Sequence, residues 1–173
     1  SKEKACALVG IRNTTVRMPA SSSQQEVLDA ICSLNADDGV DGILVQLPLP
    51  EHICETDIIK AIAREKDVDG FHPENVAALW RRRTSPEPNP QYCVPCTPRG
   101  IIRLLKAAGV RLEGKRAVVV GRSNIVGLPV AKLLLNENAT VTICHSRTEN
   151  LPQFTREAEV LVVAAGSPRM IIM

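Results

Sequence analysis

The sequence predicts the α/β class, with strand and helix alternating in both halves of the chain. Three observations predict it. Short, wholly apolar runs at 42–45 and 117–120 read as strands covered on both faces, as in parallel sheets. Segments with helical apolar spacing lie between the candidate strands. A turn with glycine at both ends, Gly121–Gly127, joins a candidate strand to a candidate helix.

The elements follow in order. Residues 1–9 read as the tail of a helix that ends at Gly10, and Arg12–Met18 has the Thr/Val content of a short strand. Ser23 and Glu26 form a capping box ahead of Val27, Leu28, Ile31 and Leu34, which share one helical face. Gly42–Val45 is a buried strand bounded by polar and proline residues. Helices follow at Thr56–Ala63 and Pro73–Trp80. Arg81–Gln91 has three prolines and no periodicity, so it reads as a loop or linker. Thr97-Pro98 supplies an N-cap and a first-turn proline for a helix ending at Gly109. Strand 116–120, helix 127–136 and strands 140–144 and 160–164 complete the pattern.

Composition narrows the function classes. The 173 residues suffice for one good core or two small ones. With 45% hydrophobic residues the chain is globular, and no apolar run approaches the ~18 residues of a membrane helix. The chain reads as soluble and free of membrane partners. It is expected to be cytoplasmic, or in an organelle matrix if a targeting segment was removed. Net charge is +2 and aromatics are 2% of the chain, which leaves few stacking faces for nucleic acid. The only dense basic run, Arg81–Arg83, reads as a solvated loop. Six cysteines are scattered, and Cys6 and Cys32 sit in apolar helical patterns. Cys93 and Cys96 form a C-x-x-C that could be a redox pair or half a zinc site. There is no second pair, so two thiols in a loop entering a helix is the simpler reading.

The Gly121–Gly127 turn carries chemistry. Gly121 permits a tight turn off the strand, and Gly127 lets the helix pack close to the sheet. Between them the helix N-terminus offers amides and a positive dipole end to a phosphate. The spacing is G-x-S-x-x-x-G, with Ser123 in the place of the middle glycine. Strand, turn, helix and strand all fall within about 30 residues, as a dinucleotide site requires. An ordinary crossover without ligand is the alternative. NAD proteins commonly place an acid at the end of the second strand. This chain has Cys144-His145-Ser146-Arg147-Thr148 there. Ser146 and the basic groups, with Arg122 from the glycine turn, would accept a 2′-phosphate, so NADP is favoured over NAD.

In the first half, strand 42–45 runs into Gln46-Leu47-Pro48-Leu49-Pro50. Ligands of parallel sheets bind beyond strand C-terminal ends, so Gln46 is a site residue or a structural cap. Lys66-Asp67-Val68-Asp69-Gly70-Phe71 is a dense polar turn. One Asp could accept bonds from a heterocycle, or both could satisfy loop amides, and the residues do not choose between Asp67 and Asp69. Lys2 alone reads as a solvated lysine.

Five segments in series, 1–6, 41–50, 66–72, 95–100 and 121–127, carry a resemblance over essentially the whole chain. The chain resembles the bifunctional methylenetetrahydrofolate dehydrogenase/methenyltetrahydrofolate cyclohydrolases. The resemblance implies two α/β domains around a cleft: a catalytic folate-binding domain at 1–95 and a Rossmann-type NADP-binding domain at 96–173. It implies oxidation of 5,10-methylenetetrahydrofolate by NADP and hydrolysis of the product to 10-formyltetrahydrofolate. That is one-carbon chemistry serving purine biosynthesis, in a homodimer. Lys2 matches the family's catalytic acid/base, Gln46 its partner and Asp69 the pterin anchor. Val45, Gln46, Leu47, Pro48 and Asp69 match the substrate contacts. Thr97, Gly121, Arg122, Ser123, Ile125, Gly127, His145 and Ser146 match the cofactor site. Cys96 falls in the family's Pro-Cys-Thr-Pro turn. The family also has a tyrosine four residues before the catalytic lysine, which would precede Ser1, and a Gly-Gly-Val-Gly-Pro turn beyond Met173. The chain is therefore expected to be a central part of the enzyme, unstable or inactive alone. A non-catalytic dinucleotide-binding module and a thiol redox protein are the rival classes.

Overall fold

The computed structural model describes residues 2–81 and 93–166. The first half is helical: α1 (Lys2–Leu8), α2 (Gln24–Ala36), α3 (Glu55–Ala61), a 3₁₀ turn (Arg64–Lys66) and α4 (Pro73–Arg81). The second half alternates: α5 (Cys96–Ala107), β1 (Arg116–Val120), α6 (Gly127–Asn136), β2 (Thr140–Cys144), α7 (Leu151–Glu157) and β3 (Val160–Val163). The fold is α/β, as expected.

Two apolar cores form. Val27 and Ile31 of α2, Ile58 of α3, and Ile43, Ile53 and Ile62 from the connecting segments make the first. The capping box is in place: the Ser23 hydroxyl accepts from the Glu26 amide, and Glu26 accepts from the Ser23 amide. At the other end of α2, Lys66 donates to the carbonyls of Leu34, Asn35 and Asp37 at 3.0, 2.8 and 2.7 Å. A cation therefore closes the negative end of the helix. Asn35 joins α2 to the end of α3, donating to the Ala61 carbonyl and accepting from the Ala63 amide.

The second core is a doubly covered parallel sheet with strand order β2-β1-β3. Side chains alternate along β1. Ala117 and Val119 pack with α6, α5 and β3, and Val118 and Val120 pack with α7. Cover on both faces explains why β1 is apolar throughout. Leu79 of α4 also joins the second core, so α4 follows the first half in sequence but packs onto α6.

Four expectations need correction. Arg12–Met18 is not a strand: every residue there is exposed and lies outside any ladder of the described residues. Thr and Val favour strands only where neighbouring side chains pack against them. Gly42–Val45 is not a strand either. Ile43 alone makes a parallel bridge, to Asp67. The partner segment turns through Arg64–Lys66 on one side and the Asp67 turn on the other, so the ladder cannot lengthen. Helix α5 begins at Cys96 with Pro95 as its N-cap, so Thr97 is inside the first turn and caps nothing. The Arg99 amide reaches the Pro95 carbonyl, and Pro98 falls where no amide is needed. Finally, Arg81 belongs to α4, and the rest of the proposed linker lies outside the described residues.

Candidate functional site

The first cluster forms where α1 meets the segment after Ile43. The Lys2 ammonium donates to Gln46 Oε1 at 2.8 Å, across 44 residues of sequence. Gln46 in turn donates to the Leu47 carbonyl at 2.8 Å, which fixes which amide atom faces the lysine. The Leu47–Pro48 peptide is cis, and Pro48 is exposed beyond it.

The two acids of the polar turn part company. Asp67 is 2% exposed and accepts three bonds, from the Gly70 amide (3.0 Å), the His72 amide (2.8 Å) and Asn75 Nδ2 (2.8 Å). It holds the turn. Asp69 is half-buried and lines a shallow depression with Val45, Leu47 and Phe71. Burial pushes its carboxyl above the ordinary value, the Lys2 ammonium pulls it down, and the Asp67 carboxylate pushes it up again. The cluster thus brings together a cationic donor, an amide that both donates and accepts, and an acid with raised proton affinity, beside apolar walls. Such a set can grip a planar heterocycle and move a proton at its edge.

Gly70 ties this turn to the second half. A Cβ there would lie 2.6 Å from the Cys93 carbonyl oxygen and 3.0 Å from the Pro95 ring. Cys93 is half-buried, and burial first and the Asp67 carboxylate second push its thiol up. Cys96 is exposed and both thiols are free. Among the described residues no group of three His, Cys, Asp or Glu is placed to hold a metal.

The second cluster lies at the C-terminal ends of the three parallel strands. Gly121 has φ +125°, and a Cβ there would overlap the Ala164 carbonyl oxygen just past β3. Its amide donates to the Cys144 carbonyl at the end of β2 (2.8 Å). Gly127 opens α6 so close to the turn that a Cβ would overlap the Gly121 carbonyl. Arg122, Ser123 and Ile125 are exposed on this turn. The two glycines thus let the turn pack backbone against backbone, Gly121 on the segment after β3 and Gly127 on the turn itself.

One expectation changes here. The first amides of α6 are not left open. The Ser123 hydroxyl accepts from the Val126 and Gly127 amides at 3.2 and 3.3 Å, and the Ser123 carbonyl accepts from the Leu128 amide at 3.0 Å. Ser123 stands in for the ligand at the helix end. After β2, the His145 amide donates to Thr148 Oγ1 and the Thr148 amide to the His145 carbonyl, both at 2.8 Å. This turn presents Ser146 and Arg147 to solvent. Thr97 is exposed in the first turn of α5.

Sequence reasoning missed Asn75, which is fully buried in α4. Its amide donates to the Arg64 carbonyl (3.1 Å) as well as to Asp67. The available signal was a lone amide one turn before Leu79 on an otherwise apolar helical face.

Comparison with known proteins agrees with this geometry. Residues 1–69 match the family described as tetrahydrofolate dehydrogenase/cyclohydrolase, catalytic domain. Residues 95–173 match its NAD(P)-binding domain. The chain is 52% identical over 171 residues to the bifunctional protein FolD of Listeria innocua, covering 99% of this chain and 58% of that protein. It is 51% identical over 171 residues to the chloroplastic FolD 4 of Arabidopsis thaliana, covering 99% and 46%. The chain thus spans about half the length of the curated relatives it matches. The crystal structure of FolD from Campylobacter jejuni superposes with a TM-score of 0.90 at 48% identity, covering 98% of this chain and 58% of that one. The Trypanosoma brucei enzyme, complexed with NADP cofactor and inhibitor, gives 0.89 at 42%, covering 96% and 55%.

Proposed function

Because the chain belongs to the tetrahydrofolate dehydrogenase/cyclohydrolase family, we propose that it oxidises 5,10-methylenetetrahydrofolate with NADP and hydrolyses the methenyl product to 10-formyltetrahydrofolate. The observation that carries the proposal is the 2.8 Å Lys2–Gln46 bond with Asp69 beside it. Lys2 and Gln46 meet across 44 residues of sequence, and Asp69, which lines the neighbouring depression, feels the Lys2 charge.

The roles follow from chemistry. Asp69 anchors the ring by accepting from its N–H groups. Its raised proton affinity suits a partner that both donates and accepts. Val45 and Leu47 supply apolar contact, and Pro48 borders the ring's exit to solvent. The substrate carbon is held by the first cluster while NADP, when bound, receives its hydride, so alignment is what the protein contributes to oxidation. Hydrolysis needs proton transfers. Lys2 donates and recovers the proton, and Gln46 holds its ammonium at the site through Oε1.

The residues fit the dinucleotide. Gly121 and Gly127 shape the tight turn that would hold the pyrophosphate, and the amides now bonded to Ser123 would be its donors. Arg122, His145 and Ser146 would hold the 2′-phosphate, and the exposed Thr97 and Ile125 would add further cofactor contacts. We assign 1–95 to the folate-binding domain and 96–173 to the NADP-binding domain, and we expect a homodimer. Among the described residues no helix is long and apolar enough to cross a membrane.

The test is an absorbance assay. With 5,10-methylenetetrahydrofolate the protein should form NADPH faster than NADH at equal cofactor. Lys2→Gln should abolish hydrolysis of added methenyltetrahydrofolate. Intact hydrolysis in that variant would remove Lys2 from the mechanism. Cofactor binding with neither turnover would make the chain a binding module.

A further inference from the structure

The proton affinity of Asp69 is set by its neighbours, and the neighbour with the most structure around it is Asp67. Asp67 is almost wholly buried, yet it contacts no cation among the bonds it makes. Its three donors are two backbone amides of its own turn and the side chain of Asn75. Asn75 is fully buried and is itself fixed from the other side. It donates to the Arg64 carbonyl and accepts from Arg64 Nε at 3.4 Å. The Asp67 backbone is pinned as well, through the parallel bridge to Ile43. Donors reach both of its oxygens, the Gly70 amide on Oδ1 and the His72 amide and Asn75 on Oδ2. The bonds run to the amides of Gly70 and His72, the residues that follow Asp69. The conformation presenting Asp69 is therefore clamped on both sides of it.

We propose that Asp67 and Asn75 form a positioning pair for Asp69, fixing the turn that presents its carboxyl to the Lys2–Gln46 cluster while keeping a second negative charge behind it. This rests on the folate reading only for its purpose, because the clamp itself is independent of any ligand. The effect is electrostatic as well as geometric. Lys2 from α1 favours the ionised form of Asp69, and Asp67 opposes it. Cys93, from the segment before α5, faces the same pair, with Arg99 and Cys96 beside it. The ring of His72 accepts from the Glu74 amide, and Arg64 donates to Glu74 and to Asn75. Burial is the main cause that raises the proton affinity of Asp69; Lys2 then pulls it down and Asp67 pushes it up, so the clamped turn sets both its burial and the charges on either side of it. Neither Asp67 nor Asn75 needs to touch a substrate to do this.

The experiment follows the Asp69 carboxyl carbon by NMR across a pH titration, with no ligand added. The parent protein should titrate above the ordinary carboxylate range. Asp67→Asn should shift the midpoint downward, because the opposing charge is gone while Lys2 remains. Asn75→Ala keeps both acids and removes one donor. It should speed exchange of the Gly70 and His72 amides and move the Asp69 midpoint toward that of a free carboxylate. A merely structural role would lower the melting temperature and leave the midpoint in place. Unmoved midpoints in folded variants overturn the proposal. If Asp67→Asn does not fold, Asn75→Ala decides by the same two readouts. Folate binding by the parent is measured separately. Its absence would overturn the functional reading and leave the titration result standing.

Discussion

Gly121→Ala is the sharpest test of the dinucleotide site. At φ +125° an alanine is strained by about 1–3 kcal/mol before any contact is considered. Its Cβ also overlaps the Ala164 carbonyl oxygen. That carbonyl cannot easily withdraw. The Ala164 amide is bonded to the Val120 carbonyl at 2.7 Å, and the Gly121 amide is bonded to Cys144 at 2.8 Å. Both neighbours of β1 are thus held against the turn. Overpacking of this kind costs a further ~1–3 kcal/mol. Together these give about 2–6 kcal/mol, a large share of the ~5–15 kcal/mol typical of a domain. The assay is urea unfolding followed by circular dichroism, with NADP titrated calorimetrically into the folded variant. Stability should fall by that amount, and cofactor affinity should fall more than about tenfold, since the turn must shift. Gly100→Ala is the control. It lies in α5 with nothing within 4 Å of the new methyl, so it should stabilise by about 0.5–1 kcal/mol. If Gly121→Ala unfolds within about 0.5 kcal/mol of the parent while the control shows its gain, the close approach of turn and strand is wrong.

Three other outcomes are expected. Ser123→Ala removes the hydroxyl that accepts two α6 amides and should cost about 1 kcal/mol in urea unfolding without NADP. Saturating NADP should shrink that difference, because phosphate replaces the lost acceptor; an undiminished difference would show that Ser123 and phosphate do not exchange. Lys66→Met leaves three carbonyls at the end of α2 without their cation and should destabilise by about 2–3 kcal/mol in the same assay, as bonds to a charged group do. A loss under about 0.5 kcal/mol would mean water serves them equally well. Glu26 and Glu159 sit below the ordinary carboxylate value, chiefly through the amides of Ser23 and Arg116. A depressed acid stabilises above its unfolded pKa and loses that contribution as pH falls through its folded one. In thermal melts, the difference between Glu26→Gln and parent should therefore be largest at neutral pH and shrink below about 4.5. A difference that stays constant down to pH 3 would mean the capping-box carboxylate does not matter.

Local signals were legible where one residue type dictates one geometry. Ser23 and Glu26 announced the start of α2, and the apolar β1 with Gly121 and Gly127 announced the strand–turn–helix. What the sequence concealed depends on partners. Arg12–Met18 has strand-forming residues with no strand beside it, and Gly42–Val45 has one bridge where a ladder was expected. Helix α7 went unread because it has seven residues, a proline in its first turn and a left-handed Asn150 before it. The choice between Asp67 and Asp69 was invisible for the same reason. Asp67 is singled out by the folded turn, whose Gly70 and His72 amides reach it, and by Asn75, eight residues beyond it. Lys2 could not be told from a solvated lysine until Gln46 stood opposite it.

Helix α4 starts directly after the Asp69 turn, and its far end is anchored in the other core through Leu79, with Lys132 of α6 lying 5.9 Å over the Trp80 ring. It is a rod between the Asp69 turn and the second core. Nine residues span about 13 Å, so a tilt of ~5° swings one end by about 1 Å. An error of ~1 Å between reacting atoms is enough to slow a reaction a hundredfold. In the proposed hydride transfer, a tilt of this short helix would shift the Asp69 turn relative to the second core, so substitutions along its buried face should register in rate before they register in binding.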